Sequence, residues 1–167
     1  MCFRPLHSVV CIRIAYIGYT ANHKGWIEYE ALTRSKALSK NVEWFHFGKG
    51  STRPSVHSEY FDGTQNKDII QVIREFKIDF AIIWPLWQET FCFAGFEAAL
   101  GGCHILSNSY SGNVAHSNLP AECKTIFEDI NQLYNYLLSL TDGKTHEINA
   151  IESYELEQSD YSLGFVS

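Results

Sequence analysis

The chain has 167 residues, 46% of them apolar, with a formal charge of -6 at neutral pH. That is enough for one domain with a core of its own and short for two. A net acidic chain lacks the basic face that a phosphate-backbone binder needs, so nucleic acid is not an expected partner.

The apolar run Val9 to Ile17 reads as a first strand, and Trp26 to Leu38 as a helix after it. Val42 to Phe47 is a second strand, and Val56 to Phe61 a short one before a turn at Asp62-Gly63. Ile69, Val72, Ile73 and Phe76 repeat at i, i+3, i+4 and i+7, the stripe of an amphipathic helix. Strands follow at Ile78 to Trp84 and His104 to Leu106, with a helix between them that starts near Thr90 and carries Phe93, Phe96 and Leu100 on one stripe. Ile126, Ile130, Leu133, Tyr134 and Leu137 predict a last helix. Apolar runs alternating with helical periods are the pattern of parallel strands covered by crossover helices, an α/β fold. Residues 1–147 read as the domain and 148–167, with Glu152, Glu155, Glu157 and Asp160 among scattered aromatics, as a C-terminal surface extension.

The five cysteines (Cys2, Cys11, Cys92, Cys103 and Cys123) form no C-x-x-C pair and have no His at zinc-finger spacing, so they read as reduced thiols of a cytoplasmic protein. No apolar run reaches the roughly 18 residues of a membrane span.

In an open parallel sheet, ligands bind at the carboxyl ends of the strands, so the loops there carry the chemistry. The most informative is Trp84 to Glu97. A helix beginning near Thr90 would aim the amides of Phe91, Cys92 and Phe93 at the sheet edge, where they could hold a diphosphate. Glu97 falls on the stripe of that helix, where an ionised carboxylate needs donors; two vicinal hydroxyls of a ribose would supply them. A salt bridge or an exposed side chain is the plain alternative. In the loop after the first strand, Lys24 near a helix N-terminus could hold phosphate, or could simply be solvated. The loop Phe47-Gly48-Lys49-Gly50-Ser51-Thr52 fails the phosphate-loop pattern G-x-x-x-x-G-K-[ST]. There is no G-x-S-x-G, no H-E-x-x-H and no G-x-G-x-x-G after the first strand, and His46 and His104 read as core histidines with satisfied ring nitrogens.

Glu89 and Glu97, separated by seven residues, are followed by Ala98, Ala99, Leu100, Gly101 and Gly102 and the run His104 to Leu106. With Ser111-Gly112 downstream, and Lys24-Gly25 and Asp62-Gly63 upstream, this resembles the donor-binding domain of the retaining group 1, or family 4-like, GT-B glycosyltransferases. The resemblance runs from about Ile12 to Leu140. It implies a Rossmann-like, doubly wound, mainly parallel sheet with helices on both faces, one half of a GT-B fold. It implies that Glu97 binds the ribose and Glu89 the hydroxyls of the donor sugar, and that Thr90, Phe91, Cys92 and Phe93 line the sugar or diphosphate. Lys24 would neutralise the leaving diphosphate, and Gly18, Tyr19 and Gly48 would line the donor. It implies no metal and no cofactor beyond the nucleoside-diphosphate sugar as substrate.

Where the family usually has an Arg after the first-strand Gly, Tyr19 stands here. The family's enzyme also has an N-terminal acceptor-binding domain, which nothing in this sequence matches, so the expected chain is a donor-binding half with weak or no transfer alone. The function implied is hexosyl transfer in glycan or polysaccharide synthesis, cytoplasmic, with room for peripheral association of the full enzyme at the inner membrane face. The alternatives are a non-catalytic nucleotide- or phosphosugar-binding module, and an unrelated flavodoxin-like domain for another phosphorylated ligand.

Overall fold

The computed structural model describes residues 11–50, 56–59, 68–90, 92–116 and 119–141. In chain order these form β1 (Ile12–Ile17), α1 (Trp26–Thr33), β2 (Val42–Phe47), β3 (Val56–Glu59), α2 (Ile69–Glu75) and β4 (Phe80–Ile83). They continue with α3 (Phe93–Leu100), β5 (His104–Asn108), the single turn α4 (Asn113–His116), β6 (Lys124–Phe127) and α5 (Ile130–Thr141). The strands make one sheet in the order β3-β2-β1-β4-β5-β6, and every neighbouring pair is parallel.

Because successive residues of a strand face opposite sides, each of the four inner strands, β2, β1, β4 and β5, feeds two cores. Ile14, Tyr16, Trp44, Phe80, Ile82 and Leu106 pack with Tyr29 and Leu32 of α1 and Leu133 and Leu137 of α5. Ala15, Phe45, Phe47, Ala81, Ile83 and Ile105 pack on the other face with Val72 and Ile73 of α2, Ala98 of α3 and Val114 of α4. This is the doubly wound arrangement with helices on both faces, and it explains why the central strand β4, Phe80–Ile83, reads as an unbroken apolar run. The chain winds one way from β1 to β3 and the other way from β4 to β6, so the winding reverses between β1 and β4.

Three expectations are corrected. The first helix ends at Thr33 rather than at Leu38, which belongs to a separate 3-10 turn, Leu38–Lys40. The Thr33 hydroxyl bonds back to the Glu30 carbonyl at 2.8 Å and the Ser35 Oγ accepts the Leu38 amide at 3.4 Å, so side chains compete with the helical ladder there. Ile126 lies in strand β6, not in the last helix, because it pairs beside Ser107 of β5. Asp129 starts α5 instead: its Oδ1 accepts the amides of Asn131 and Gln132 at 2.8 and 2.9 Å. The third helix starts at Phe93, not near Thr90, and Phe93 is 71% exposed. The buried residues of α3 are Gly95 and Ala98, small enough for the helix to lie close to Val114 and the sheet.

Asp129 satisfies two of the free amides at the start of α5, so Asp129→Ala should cost about 1 kcal/mol of stability. Urea unfolding should show this as a lower midpoint at unchanged slope.

Candidate functional site

The loops after β1 and β4 meet at the reversal of winding. A Cβ on Gly25 would run into the Trp84 carbonyl, and Gly25 has φ 81°, in the left-handed region that favours glycine. The Leu86 amide donates to the His23 carbonyl at 2.9 Å, so the two loops are also tied by a backbone hydrogen bond. Tyr16 Oη lies 2.9 Å from the Tyr19 carbonyl and 3.0 Å from that of Lys24, fixing both ends of the β1 loop.

This contact places Lys24 beside Glu89, and the two form an ion pair. The Lys24 side chain is 32% exposed and that of Glu89 only 9%. Trp87 completes the group: its ring lies 5.6 Å from the Lys24 ammonium, its Nε1 donates to Glu89 Oε1 at 3.2 Å, and it packs against His23 at 4.6 Å. The buried Cys92 thiol also donates to the Glu89 carboxylate. Burial opposes the charge on Glu89, but the hydrogen bonds from Lys24, Cys92 and Trp87 outweigh it and hold the carboxyl below its ordinary pKa. Burial and the neighbouring Glu89 charge push the Cys92 thiol up to about 12, so it stays protonated.

The backbone of Glu89 is held from the β5 side. Its carbonyl accepts the Asn113 amide at 3.0 Å, and the Asn113 side-chain amide donates to the Thr90 carbonyl. A Cβ on Gly112 would stand 2.6 Å from the Glu89 carbonyl oxygen, so that approach needs glycine. These bonds commit residues 89 and 90 to the β5 loop, which is the physical reason α3 begins later than its sequence predicts.

Glu97 lies in α3, one turn beyond Phe93. It is half-buried, and no hydrogen bond or ion pair among the described residues engages its carboxylate. Burial, helped by the Asp68 carboxylate at the start of α2, raises its pKa. Gly18 and Gly48, at the ends of β1 and β2, meet so closely that a Cβ on Gly48 would overlap the Gly18 carbonyl. Tyr19 is 60% exposed beside them. Thr90 is exposed at the rim, and Phe91 lies outside the described residues, as do the Asp62-Gly63 turn and the 148–167 extension. His104 is satisfied as expected, its Nε2 meeting Thr125 Oγ1 at 2.8 Å, whereas Nδ1 of His46 has no partner among the described residues.

The sequence singled out Lys24, Glu89, Gly18, Gly48 and Glu97 as candidates but treated Lys24 and Glu89 as acting on separate parts of a ligand. It missed Trp87 and Asn113, whose only signals are closeness to Glu89 and to Ser111-Gly112. It missed a cleft of ≈ 370 Å³ between Glu28 of α1 and Ile130 of α5, floored by Trp84, Pro85 and Leu86, which borders the site without including Lys24, Glu89 or Glu97.

No protein-family profile matches the sequence, and no curated protein does. Among solved structures, the chain is similar to sucrose-phosphate synthase from Thermosynechococcus elongatus, with a TM-score of 0.59 and 14% identity over 82% of this chain. It is also similar to the Anabaena HepE protein solved in complex with UDP-glucose, with a TM-score of 0.56 and 15% identity over 77% of this chain. The fold is that of one Rossmann-like half of a GT-B protein. The chain spans 38% of the length of each of these two structures. Among its described residues no helix is long and apolar enough to cross a membrane, and no three His, Cys, Asp or Glu side chains gather as a metal site.

The depressed pKa of Glu89 has a consequence for stability. Its contribution is complete above the ordinary carboxyl value of 4.5 and is lost as the pH falls through the lower folded-state value. Thermal midpoints measured between pH 7 and pH 3 should therefore fall more steeply for the wild type than for Glu89→Gln.

Proposed function

We propose that this chain is the donor-binding half of a retaining GT-B glycosyltransferase acting on a nucleoside-diphosphate sugar. The observation that carries the reading is the Lys24–Glu89 pair, assembled from two loops at the reversal of winding, the place where this sheet topology receives ligands. In the free protein the two charges satisfy each other. An arriving diphosphate competes for the Lys24 ammonium, and the carboxylate it gives up then turns to the hydroxyls of the donor sugar. As the bond between sugar and diphosphate breaks, Lys24 stabilises the charge that develops on the leaving group. Glu97, whose carboxylate no described residue engages, takes the ribose diol.

The HepE structure holds UDP-glucose, which supports a uridine nucleotide as the first ligand to test. Transfer needs an acceptor held against the donor, so this reading assigns the acceptor to a second, N-terminal domain, as in a two-domain enzyme. It gives charge neutralisation to Lys24 and to backbone amides, without a metal. Synthesis of a glycan or polysaccharide on the cytoplasmic side of a membrane is the setting that fits such a donor.

Calorimetric and thermal-shift titration with UDP, GDP, ADP and inorganic phosphate tests the reading. One diphosphate should stabilise the protein selectively. Glu97→Ala should lose that stabilisation, and Lys24→Ala should lose less, in a salt-dependent way. No stabilisation by any of the four, or equal binding by Glu97→Ala, would overturn it. If the chain binds a diphosphate, supplying an acceptor-binding domain in trans should restore transfer; binding without transfer would favour a non-catalytic module.

Ionised Glu97 is the better acceptor for ribose hydroxyls, and its pKa is raised. Affinity for a nucleoside should therefore fall as the pH drops through that raised value, and Glu97→Gln should bind weakly with little dependence on pH. Adenosine, uridine and guanosine, which lack phosphate, make the measurement free of phosphate titration.

A further inference from the structure

His46 is completely buried in β2, against the rings of Tyr16 at 5.7 Å and Trp26 at 5.0 Å. Its Nε2 lies 2.8 Å from the Gly18 carbonyl oxygen. A carbonyl only accepts, so Nε2 carries the proton and Nδ1 presents a bare lone pair, which meets no donor among the described residues. An imidazole buried with half of its polar capacity unused is costly to keep, and its one bond goes to the loop that follows β1.

That bond sets the orientation of a peptide group. In a planar trans peptide the carbonyl of one residue and the N–H of the next point in opposite directions. The Gly18 carbonyl points toward β2, where it meets His46 and presses against Gly48. The Tyr19 N–H therefore points away from β2. β1 lies between β2 and β4, so this is the side of β4 and of the loop that carries Glu89.

The neighbouring amides are already spent. Gly18 N–H donates to the Phe47 carbonyl at 3.0 Å, Thr20 N–H to that of Lys49 at 3.1 Å, and Ala21 N–H to that of Tyr19 at 2.8 Å. Tyr19 N–H has no acceptor among the described residues. Its own carbonyl shares the Tyr16 hydroxyl with that of Lys24, so one side chain anchors the backbone of both residues.

We propose that His46 is a positioning residue that, by holding the Gly18 carbonyl, turns the Tyr19 N–H into the crevice between β1 and β4 as a backbone donor to the anion that Lys24 neutralises. The inference rests on the donor-site reading and deepens it by naming a diphosphate contact and what orients it. Burial pulls the pKa of His46 below its ordinary value, against the opposing effect of the Gly18 bond, so the ring is neutral at physiological pH and the orientation is constant there.

The test is amide NMR of the 167-residue chain titrated with UDP and with pyrophosphate, with affinities measured by calorimetry. In the wild type the Tyr19 amide resonance should shift and its exchange with water should slow. His46→Leu, which removes the donor at similar volume, should abolish that shift and weaken UDP binding about tenfold, the effect of a hydrogen bond to a charged group. His46→Gln, whose side-chain amide reaches about as far as Nε2, should restore both. Should His46→Leu fail to fold, the wild-type Tyr19 signal and the His46→Gln affinity decide the matter by themselves. Wild-type binding of UDP with an unmoved Tyr19 amide would overturn this inference and leave the donor site standing. Failure of the wild type to bind UDP or pyrophosphate would overturn both.

Discussion

Where the β1 loop crosses the β4 loop, the backbone of Gly25 lies against the Trp84 carbonyl with no room for a side chain between them. The site depends on that contact. Lys24 is the residue before Gly25 and Glu89 lies five residues beyond Trp84, so closing the two backbones brings a cation and a carboxylate within bonding reach. Two similar approaches extend the arrangement along the sheet edge: Gly48 against Gly18 joins the loops of β2 and β1, and Gly112 against Glu89 joins those of β5 and β4. Four adjacent parallel strands, in the order β2-β1-β4-β5, thus have their carboxyl-end loops linked in series by glycines. A Cβ at any of the three positions would force the loops apart, and at Gly25, Gly48 and Gly112 the positive φ adds backbone strain for any other residue.

The edge so formed is electrostatically uneven. Glu89 is stabilised as an anion by three donors, while Glu97 is made harder to ionise by burial and by Asp68. The two carboxylates that look equivalent in the sequence are therefore in opposite states: one committed to a cation, the other waiting for donors. A ligand that brings its own negative charge and several hydroxyls would change both, since the anion draws off Lys24 and the hydroxyls serve the carboxylates. The aromatic side chains at this edge, Tyr19, Trp87 and Tyr110, are each more than half exposed and add apolar surface around it.

The sheet supplies the rigidity that this edge requires. Both faces are covered, by α1 and α5 on one side and by α2, α3 and α4 on the other, so the strand ends are fixed by cores that contain few polar groups. Gly101 shows how tightly the second face is packed, because a Cβ there would stand 2.5 Å from the Ile73 Cγ2 atom. The buried polar groups that remain near the edge are bonded to loop backbone. Asn108 donates to the Pro85 carbonyl at 2.9 Å, Ser111 to the Asn108 carbonyl at 2.7 Å, and Ser107 to the Ile83 carbonyl at 2.6 Å. Each spends a side-chain donor on holding a loop or strand end in place.

The sequence by itself determined the fold class, because apolar runs long enough for doubly covered strands alternate with helical stripes, and β2 emerged with the bounds it was given, Val42 to Phe47. It also picked out Lys24, Glu89 and Glu97 through a spacing that resembles a known family. It misplaced the helix start at Thr90 and put Ile126 in the last helix rather than in a strand, since the hydrogen bonds that decide both, from Asn113 to residues 89 and 90 and from β5 to β6, join residues about 20 apart in the chain. The Lys24–Glu89 pair spans 65 residues and follows from the glycine contact at Trp84, which no local pattern records. Spacing along a helix or strand is a property of the sequence; which loop presses on which, and so which charges meet, is settled only when the parallel order of the strands brings their ends to one edge.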